Sequence, residues 1–111
     1  MSKNIYLISC DLYGEKMYKI GYTKRDVEQR VLEMRTGNPG DFKIISTFNS
    51  DWGSKIEASL KRNYSDYNIG GEWFILPEDE IVNFIENCSK LHNNFELLSK
   101  NNTFIIDKGW I

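Results

Sequence analysis

Cysteine and histidine, which often act in catalysis or bind metals, occur only three times in this sequence and at widely separated positions. Cys10 lies in an apolar run and Cys88 at the end of a helix-like segment, without metal-ligand spacing, so both are expected to be buried reduced thiols. The single histidine, His92, is expected on the surface. Lys24 and Arg25 precede a predicted helix, where the helix dipole disfavours cations, and their placement there favours a phosphate contact.

Charge is distributed unevenly along the 111 residues, a length that suits one domain. The net charge is −2, yet residues 1–63 carry 11 Lys and Arg against 8 Asp and Glu, whereas residues 64–111 carry 3 against 8. A phosphate backbone would favour the first half, because cationic side chains release its condensed counterions. Uneven solvated surfaces produce the same asymmetry, so the charge pattern is a weak indication of nucleic-acid binding.

The first elements are predicted from the spacing of apolar residues. Residues 5–10 and 17–22 are expected to be strands, joined by a turn at 11–15 and paired as an antiparallel hairpin. Thr23 is the expected N-cap of a helix with Asp26 at its third position. Apolar residues then recur at helical spacing, and the Gly- and Pro-rich residues 36–40 are expected to end this helix.

The remaining pattern predicts a strand over 42–48, a helix over 52–67, a break at Gly70 and Gly71, and a third helix from Pro77. Residues 93–102 are polar and ambiguous, and residues 103–106 are a possible last short strand. The expected fold class is therefore α/β (α+β), with a three-stranded antiparallel sheet flanked by helices and a C-terminal helical extension. Loops and strand ends on one face would carry any site.

Several motifs in this order resemble those of the GIY-YIG nuclease superfamily. The signature segments are Asn4-Ile5-Tyr6, Lys19-Ile20-Gly21 and the helix residue Arg30. The sequence resembles one branch of this superfamily more closely. This branch consists of small phage and bacterial proteins with KIG-T, R-L, TG-P and GEWF motifs, and residues 71–74 match the last of these. The resemblance covers residues 4–76. It implies a nuclease-type domain over 1–76, with 77–111 as a C-terminal helix and tail packed on the same domain.

The family resemblance also implies an activity and a set of site residues. The activity is hydrolysis of DNA phosphodiester bonds with a divalent metal, Mg²⁺ or Mn²⁺. Tyr6 would hold or deprotonate the attacking water, Arg30 would stabilise phosphate charge, and Glu57 would bind the metal. Lys19 stands where the second signature tyrosine usually lies and would assist Tyr6, while Glu72 would be a second metal carboxylate or orient Arg30. The candidate substrate-binding residues around them are Tyr18, Tyr22, Lys24, Arg25, Arg35 and Lys61.

Phosphodiester chemistry accounts for these residue types. In-line attack increases the negative charge on the non-bridging oxygens, which a guanidinium neutralises through planar, bidentate hydrogen bonds. A hard cation held by a carboxylate supplies the remaining stabilisation. The sequence departs from the family pattern at Asn4, which replaces the first glycine, and at Lys61, which stands where the branch usually has histidine.

Each residue also has a local interpretation without any site. Tyr6 on a strand is typical of a core aromatic, Arg30 of a solvated residue paired with Glu33 or Asp26, and Glu57 of an i,i+4 partner of Lys61. The Trp73-Phe74 pair favours a hydrophobic plug over a base-stacking platform.

Two functions other than a nuclease remain open from the sequence. One is a catalytically weak or inactive DNA-binding module, and the other is a phage effector or inhibitor that binds a protein partner through the acidic segment 64–111. DNA is the expected partner, with a homodimer as a further possibility. No apolar run approaches the roughly 20 residues that cross a bilayer, and no signal-peptide pattern opens the chain, so a cytoplasmic location without membrane contact is expected.

Overall fold

A computed structural model describes residues 3–12, 14–35 and 41–101, without the side chains of Leu12, Arg35, Asp41 and Asn101. The predicted helix end at 36–40 and the predicted strand at 103–106 lie outside these ranges. The strands are β1 (Asn4–Leu12), β2 (Glu15–Thr23), β3 (Asp41–Asn49), β4 (Asn68–Gly70) and β5 (Trp73–Phe74). The helices are α1 (Val27–Arg35), α2 (Gly53–Asn63), α3 (Glu78–Val82) and α4 (Phe84–Asn101), with a 3-10 turn at Ser65–Tyr67.

Five strands form one sheet in the order β3-β1-β2-β5-β4, and every neighbouring pair is antiparallel. The prediction of an α+β fold with an antiparallel sheet is confirmed, but the prediction of three strands is wrong. The two additional strands, β4 and β5, are three and two residues long. Segments so short contain no alternating pattern. Their hairpin also has three hydrogen bonds between the Asn68 side chain and the backbone, which apolar spacing does not predict.

The central strand β1 is buried on both faces, which explains why its sequence is almost continuously apolar. Ile5 and Leu7 join the larger core with Ile56 and Leu60 of α2. On the opposite face, Tyr6, Ile8 and Cys10 join a smaller core with apolar residues of α1 and β3. The sheet therefore has helices on both faces, and the side chain of Tyr6 points to the α1 face.

Helix α1 begins later than the sequence pattern predicts. Its first residue is Val27, and Asp26 is the N-cap, because the Asp26 carboxylate accepts a 3.3 Å hydrogen bond from the Gln29 amide. Thr23 is instead the last residue of β2, and its hydroxyl accepts a 3.0 Å hydrogen bond from the Arg25 amide. Both residues stabilise the connection, but the prediction that Thr23 caps the helix is wrong.

The C-terminal part contains two helices where one was predicted. Helix α3 ends at Val82, and α4 then runs from Phe84 through the segment 93–101, whose structure the polar sequence left ambiguous. Phe84 and Cys88 are fully buried in the larger core, and Leu91 and Phe95 pack against it. These four residues follow the i, i+4, i+7, i+11 spacing of a helix face, so burial of this stripe explains why the polar segment is helical.

No helix among residues 3–12, 14–35 and 41–101 is long and apolar enough to span a membrane.

Tyr6 and Gly21 face each other directly across the β1–β2 pair. A Cβ atom at Gly21 would lie 2.2 Å from the Tyr6 Cζ atom and 2.2 Å from its hydroxyl oxygen, so no larger residue fits while the ring is in place. A glycine inside a strand often marks such a close approach. The Ile-Gly pair of the second motif therefore has a packing role: Gly21 provides the surface on which the Tyr6 ring lies.

We predict that Gly21→Ala lowers the free energy of unfolding by about 1–3 kcal/mol, because the added methyl group displaces a buried ring. Urea denaturation of the wild type and variant measures the change. In a Tyr6→Val background the same substitution is expected to cost much less, since the obstructing ring is gone. Equal costs in both backgrounds would contradict the packing role.

Candidate functional site

The candidate site is built around the buried ring of Tyr6, of which 2% is exposed. Strand β5 pairs with β2 at Tyr18 and Lys19, so among the described residues no strand covers the edge of β2 at Gly21. The Tyr6 hydroxyl lies over Gly21, beside this open edge. Groups from the two faces of the sheet can therefore meet around the hydroxyl.

Helix α1 contributes Arg30 to the site. Its guanidinium lies within hydrogen-bonding range of the Tyr6 hydroxyl, and its Nη1 is 3.6 Å from a carboxylate oxygen of Glu33. Arg25 holds the same carboxylate with two hydrogen bonds of 2.7 and 2.8 Å. Glu33 thus lies between two arginines, with hydrogen bonds to Arg25 and an ion pair to Arg30.

Helix α2 contributes Glu57 and Lys61 from the other side of the sheet. The neighbours Ile56 and Leu60 are buried in the larger core, which places Glu57 and Lys61 on the flank of the helix. The two side chains form an ion pair at 3.5 Å and are 24% and 33% exposed, respectively. The Glu57 charge acts on the Tyr6 hydroxyl, so α2 and α1 both contribute to one cluster.

The fourth contribution is an ion pair between Lys19 and Glu72. The Lys19 Nζ atom is 2.8 Å from Glu72 Oε2; the lysine side chain is 13% exposed and the glutamate 61%. Lys19 pairs across the sheet with Trp73, so Glu72 immediately precedes its cross-strand neighbour. Tyr6, Lys19, Arg30, Glu57, Lys61 and Glu72 are called the charged cluster below.

Burial raises the pKa of the Tyr6 phenol above its ordinary value of 10.0. The Arg30 charge opposes this shift, whereas the Glu57 charge adds to it. The balance keeps the hydroxyl protonated at neutral pH. It can therefore donate a hydrogen bond to an oxygen, which a phenolate could not do.

The carboxylates of the charged cluster decide whether a metal fits. Among the described residues, no group of three or more His, Cys, Asp and Glu side chains comes together as a metal site. Glu57 and Glu72 are each paired with a lysine. Mg²⁺ commonly takes one or two protein carboxylates together with several waters, so a single glutamate of this kind suits such an ion only once its lysine partner is displaced.

The charged cluster does not include four of the other candidate residues, Tyr18, Tyr22, Lys24 and Arg25. Tyr18 is buried in the larger core on the opposite face of the sheet, and Tyr22 lies on that face against Gly53. Lys24 is exposed before α1, Arg25 is paired with Glu33, and the side chain of Arg35 lies outside the described part of the structure. Of the five candidate substrate-binding residues whose side chains the structure describes, only Lys61 belongs to the cluster.

Two aromatic residues have packing roles close to those that the sequence indicates. Phe74 is buried in the larger core, and Trp73 packs against Phe42 with ring centroids 6.0 Å apart.

His92 differs from the prediction of a surface residue, because it is partly buried. Its Nδ1 lies 2.7 Å from the Ser50 hydroxyl, and its ring contacts Phe48 edge-on.

Two supporting residues were not identified as such from the sequence. Gly21 supports the Tyr6 ring, and Asn68 shapes the turn before Glu72. A glycine inside a predicted strand was an available signal for the first, whereas the contacts of Asn68 depend on side-chain geometry that spacing does not predict. The ion pair of Arg30 with Glu33, three residues later on the same helix, confirms one of the two local pairings that the sequence predicts for Arg30.

We predict that Arg30→Ala raises the pKa of Tyr6 further, because the guanidinium charge stabilises the phenolate form. Glu57→Gln is expected to lower the pKa of Tyr6, since it removes a repelling negative charge. The ¹³Cζ shift of labelled tyrosine, followed against pH by NMR, measures both changes. Arg62→Ala removes an exposed arginine bonded to Ser59 and serves as the control. An unchanged titration of Tyr6 in Arg30→Ala would show that the guanidinium does not act on the phenol.

The family comparison identifies the domain to which this geometry belongs. No curated protein and no solved structure matches the chain. The T5orf172 domain matches residues 3–89, which is well over half of the sequence and extends beyond the 4–76 covered by the motifs. The chain therefore belongs to the T5orf172 domain family, a phage-associated family related to nuclease-like folds.

Proposed function

We propose that the chain is a divalent-metal-dependent DNA endonuclease of the GIY-YIG type. The observation that carries this proposal is that an arginine of α1 and a glutamate of α2 both act on the buried hydroxyl of Tyr6 in β1, which lies over Gly21 of β2. Membership of a phage-associated, nuclease-related family supports it. The arrangement offers the groups that phosphodiester hydrolysis requires: a cation for phosphate charge and a carboxylate for a metal.

Arg30 is the residue proposed to bind the scissile phosphate. Its side chain is 37% exposed, so it can reach a substrate while remaining beside Tyr6. The Glu33 carboxylate limits its orientation, since Arg25 holds that carboxylate in place. A guanidinium positioned before the substrate arrives stabilises developing charge without further reorganisation.

Tyr6 is proposed to orient the attacking water through its hydroxyl. A phenol whose pKa is raised by burial remains protonated near neutral pH, which makes it a poor general base.

Glu57 is proposed as the protein ligand of the metal. When bound, magnesium would supply charge neutralisation at the phosphate oxygens and a lower pKa for water. Lys19, nearly buried in the same cluster, contributes fixed positive charge.

We expect the protein to nick supercoiled plasmid in magnesium, and Arg30→Ala and Glu57→Gln to reduce the rate about 100-fold or more, as for loss of a group that stabilises transition-state charge. Gel electrophoresis of plasmid over time measures the rate. Glu86→Gln is the matched control for Glu57, because Glu86 also forms an i,i+4 ion pair, with Lys90. Arg62→Ala is the control for Arg30. Cleavage that persists unchanged in both site variants would refute the proposal.

Tyr6→Phe tests the hydroxyl separately from the ring. Phenylalanine keeps the packing on Gly21, so the variant is expected to fold with near wild-type stability. We expect its cleavage rate to fall at least tenfold, because the water loses its orienting hydrogen bond. Thermal denaturation confirms the fold in parallel. Full activity in a folded Tyr6→Phe protein would remove Tyr6 from the mechanism.

A DNA-binding module without turnover is the second candidate function. The observation that favours it is that Glu57 and Glu72 are both paired with lysines, which compete with a metal for the carboxylates. In that case, DNA binding would weaken with salt, as for any phosphate-binding surface, while plasmid remained intact in magnesium and in manganese. Binding and cleavage measured on the same preparation distinguish the two functions.

A further inference from the structure

The side chain of Lys19 is the least exposed of the lysines that form ion pairs in the described residues. It is 13% exposed and projects from the interior of the sheet, next to Trp73. A poorly solvated ammonium needs an anion close by, because burial otherwise disfavours its charge. Glu72 provides that anion at 2.8 Å.

The two partners of this ion pair differ in how freely they can separate. Glu72 is 61% exposed, so its carboxylate can turn into solvent, whereas Lys19 is confined between its neighbours in the sheet. An anion that replaced Glu72 would find the ammonium already in place. If the ion pair separates, the Glu72 carboxylate is therefore the group that moves into solvent, while the Lys19 ammonium stays in place.

Other cations of the charged cluster also act on the Glu72 carboxylate. Lys19 lowers the pKa of Glu72 most strongly, and Lys61 and Arg30 lower it as well. The three cations come from β2, α2 and α1. Lys19 thus contacts the exposed carboxylate directly, and the charges of Lys61 and Arg30 also act on it. A phosphate group in its place would be attracted by the same three charges.

The turn that carries Glu72 is built to present it there. Gly70 and Gly71 have positive φ angles of 132° and 54°, a conformation that residues with a side chain rarely adopt. Asn68 donates hydrogen bonds of 3.0 Å to the carbonyls of Gly71 and Trp73 and accepts one of 3.2 Å from the Gly70 amide. The turn places the carboxylate above Lys19 before any substrate is present.

We propose that Lys19, Arg30 and Lys61 form a phosphate subsite that Glu72 masks: its carboxylate occupies the position of a DNA phosphate, and bound DNA displaces it. The proposal rests on the proposed function for its choice of DNA as the ligand. It gives Glu72 a role opposite to that of a metal ligand. Loss of its charge strengthens DNA binding without metal.

The test compares Glu72→Gln with Glu86→Gln in binding a short fluorescein-labelled DNA duplex at low salt with EDTA. Both substitutions remove one negative charge, and the two glutamates are 61% and 62% exposed. Fluorescence anisotropy is expected to show about fivefold tighter binding for Glu72→Gln, the effect of one charge at close range in water, and less than twofold for Glu86→Gln. Equal affinities of the two variants, or weaker binding by Glu72→Gln, would overturn the masking role.

Two further variants connect the effect to Lys19. In the double variant Lys19→Gln/Glu72→Gln the gain in affinity is expected to disappear, because the uncovered cation is gone. Should this variant fail to fold, as judged by circular dichroism, Glu72→Asp replaces it: the shorter side chain withdraws the carboxylate at constant net charge and is expected to tighten binding by a smaller factor. A gain that persists without Lys19, or an unchanged affinity in Glu72→Asp, contradicts the proposal.

Plasmid cleavage in magnesium separates this proposal from the nuclease assignment. A wild type that cuts DNA while Glu72→Gln binds no tighter refutes the masking role alone. Tighter binding by Glu72→Gln, with no cleavage by the wild type, refutes the nuclease assignment alone. Glu72 as a metal ligand would instead leave metal-free binding unchanged and reduce magnesium-dependent cleavage.

Discussion

The close contact between the Tyr6 ring and Gly21 is the constraint on which the site depends. The two residues are cross-strand partners, and the ring occupies the volume that a side chain at Gly21 would need. This contact places a phenol hydroxyl beside the edge of β2, where β5 no longer covers the strand. Arg30 from one face and Glu57 from the other can then act on the same oxygen. The Tyr6–Gly21 pair thus determines both the packing and the electrostatic surroundings of the hydroxyl. Each of the two signature segments contributes one residue to this pair.

Ion pairs neutralise much of the charge around this hydroxyl. Glu33 is shared by Arg25 and Arg30, Lys61 pairs with Glu57, and Lys19 pairs with Glu72. Exposed pairs of this kind contribute little to stability, since water and salt screen them. Their effect is on position, because each restricts a long side chain within the candidate site. Replacing the carboxylate of an existing ion pair by another anion therefore costs less conformational entropy than ordering side chains that were free in solvent.

Helix α4 connects the C-terminal segment to the same core. Phe84 and Cys88 are fully buried beside residues of β1, β2 and α2, and the Trp52 indole donates a 2.9 Å hydrogen bond to Glu96. Burial raises the pKa of the Cys88 thiol to about 12, which makes it an unreactive packing residue. The family match to residue 89 includes the start of this helix. The segment after residue 76 supports α2, and α2 in turn presents Glu57 to the site.

The sequence by itself determined the β1–β2 hairpin, β3 and the first two helices, because alternating and helical apolar spacing reports burial directly. The family resemblance, not local spacing, predicted that Tyr6, Lys19, Arg30 and Glu57 belong to one site. Only the tertiary structure decided that β4 and β5 extend the sheet, that Asp26 caps α1, and that the polar end of α4 is helical. It also decided that Tyr18 and Tyr22 face away and that Glu72 pairs with Lys19. These outcomes depend on cross-strand register and on hydrogen bonds between side chain and backbone, which local residue spacing does not specify.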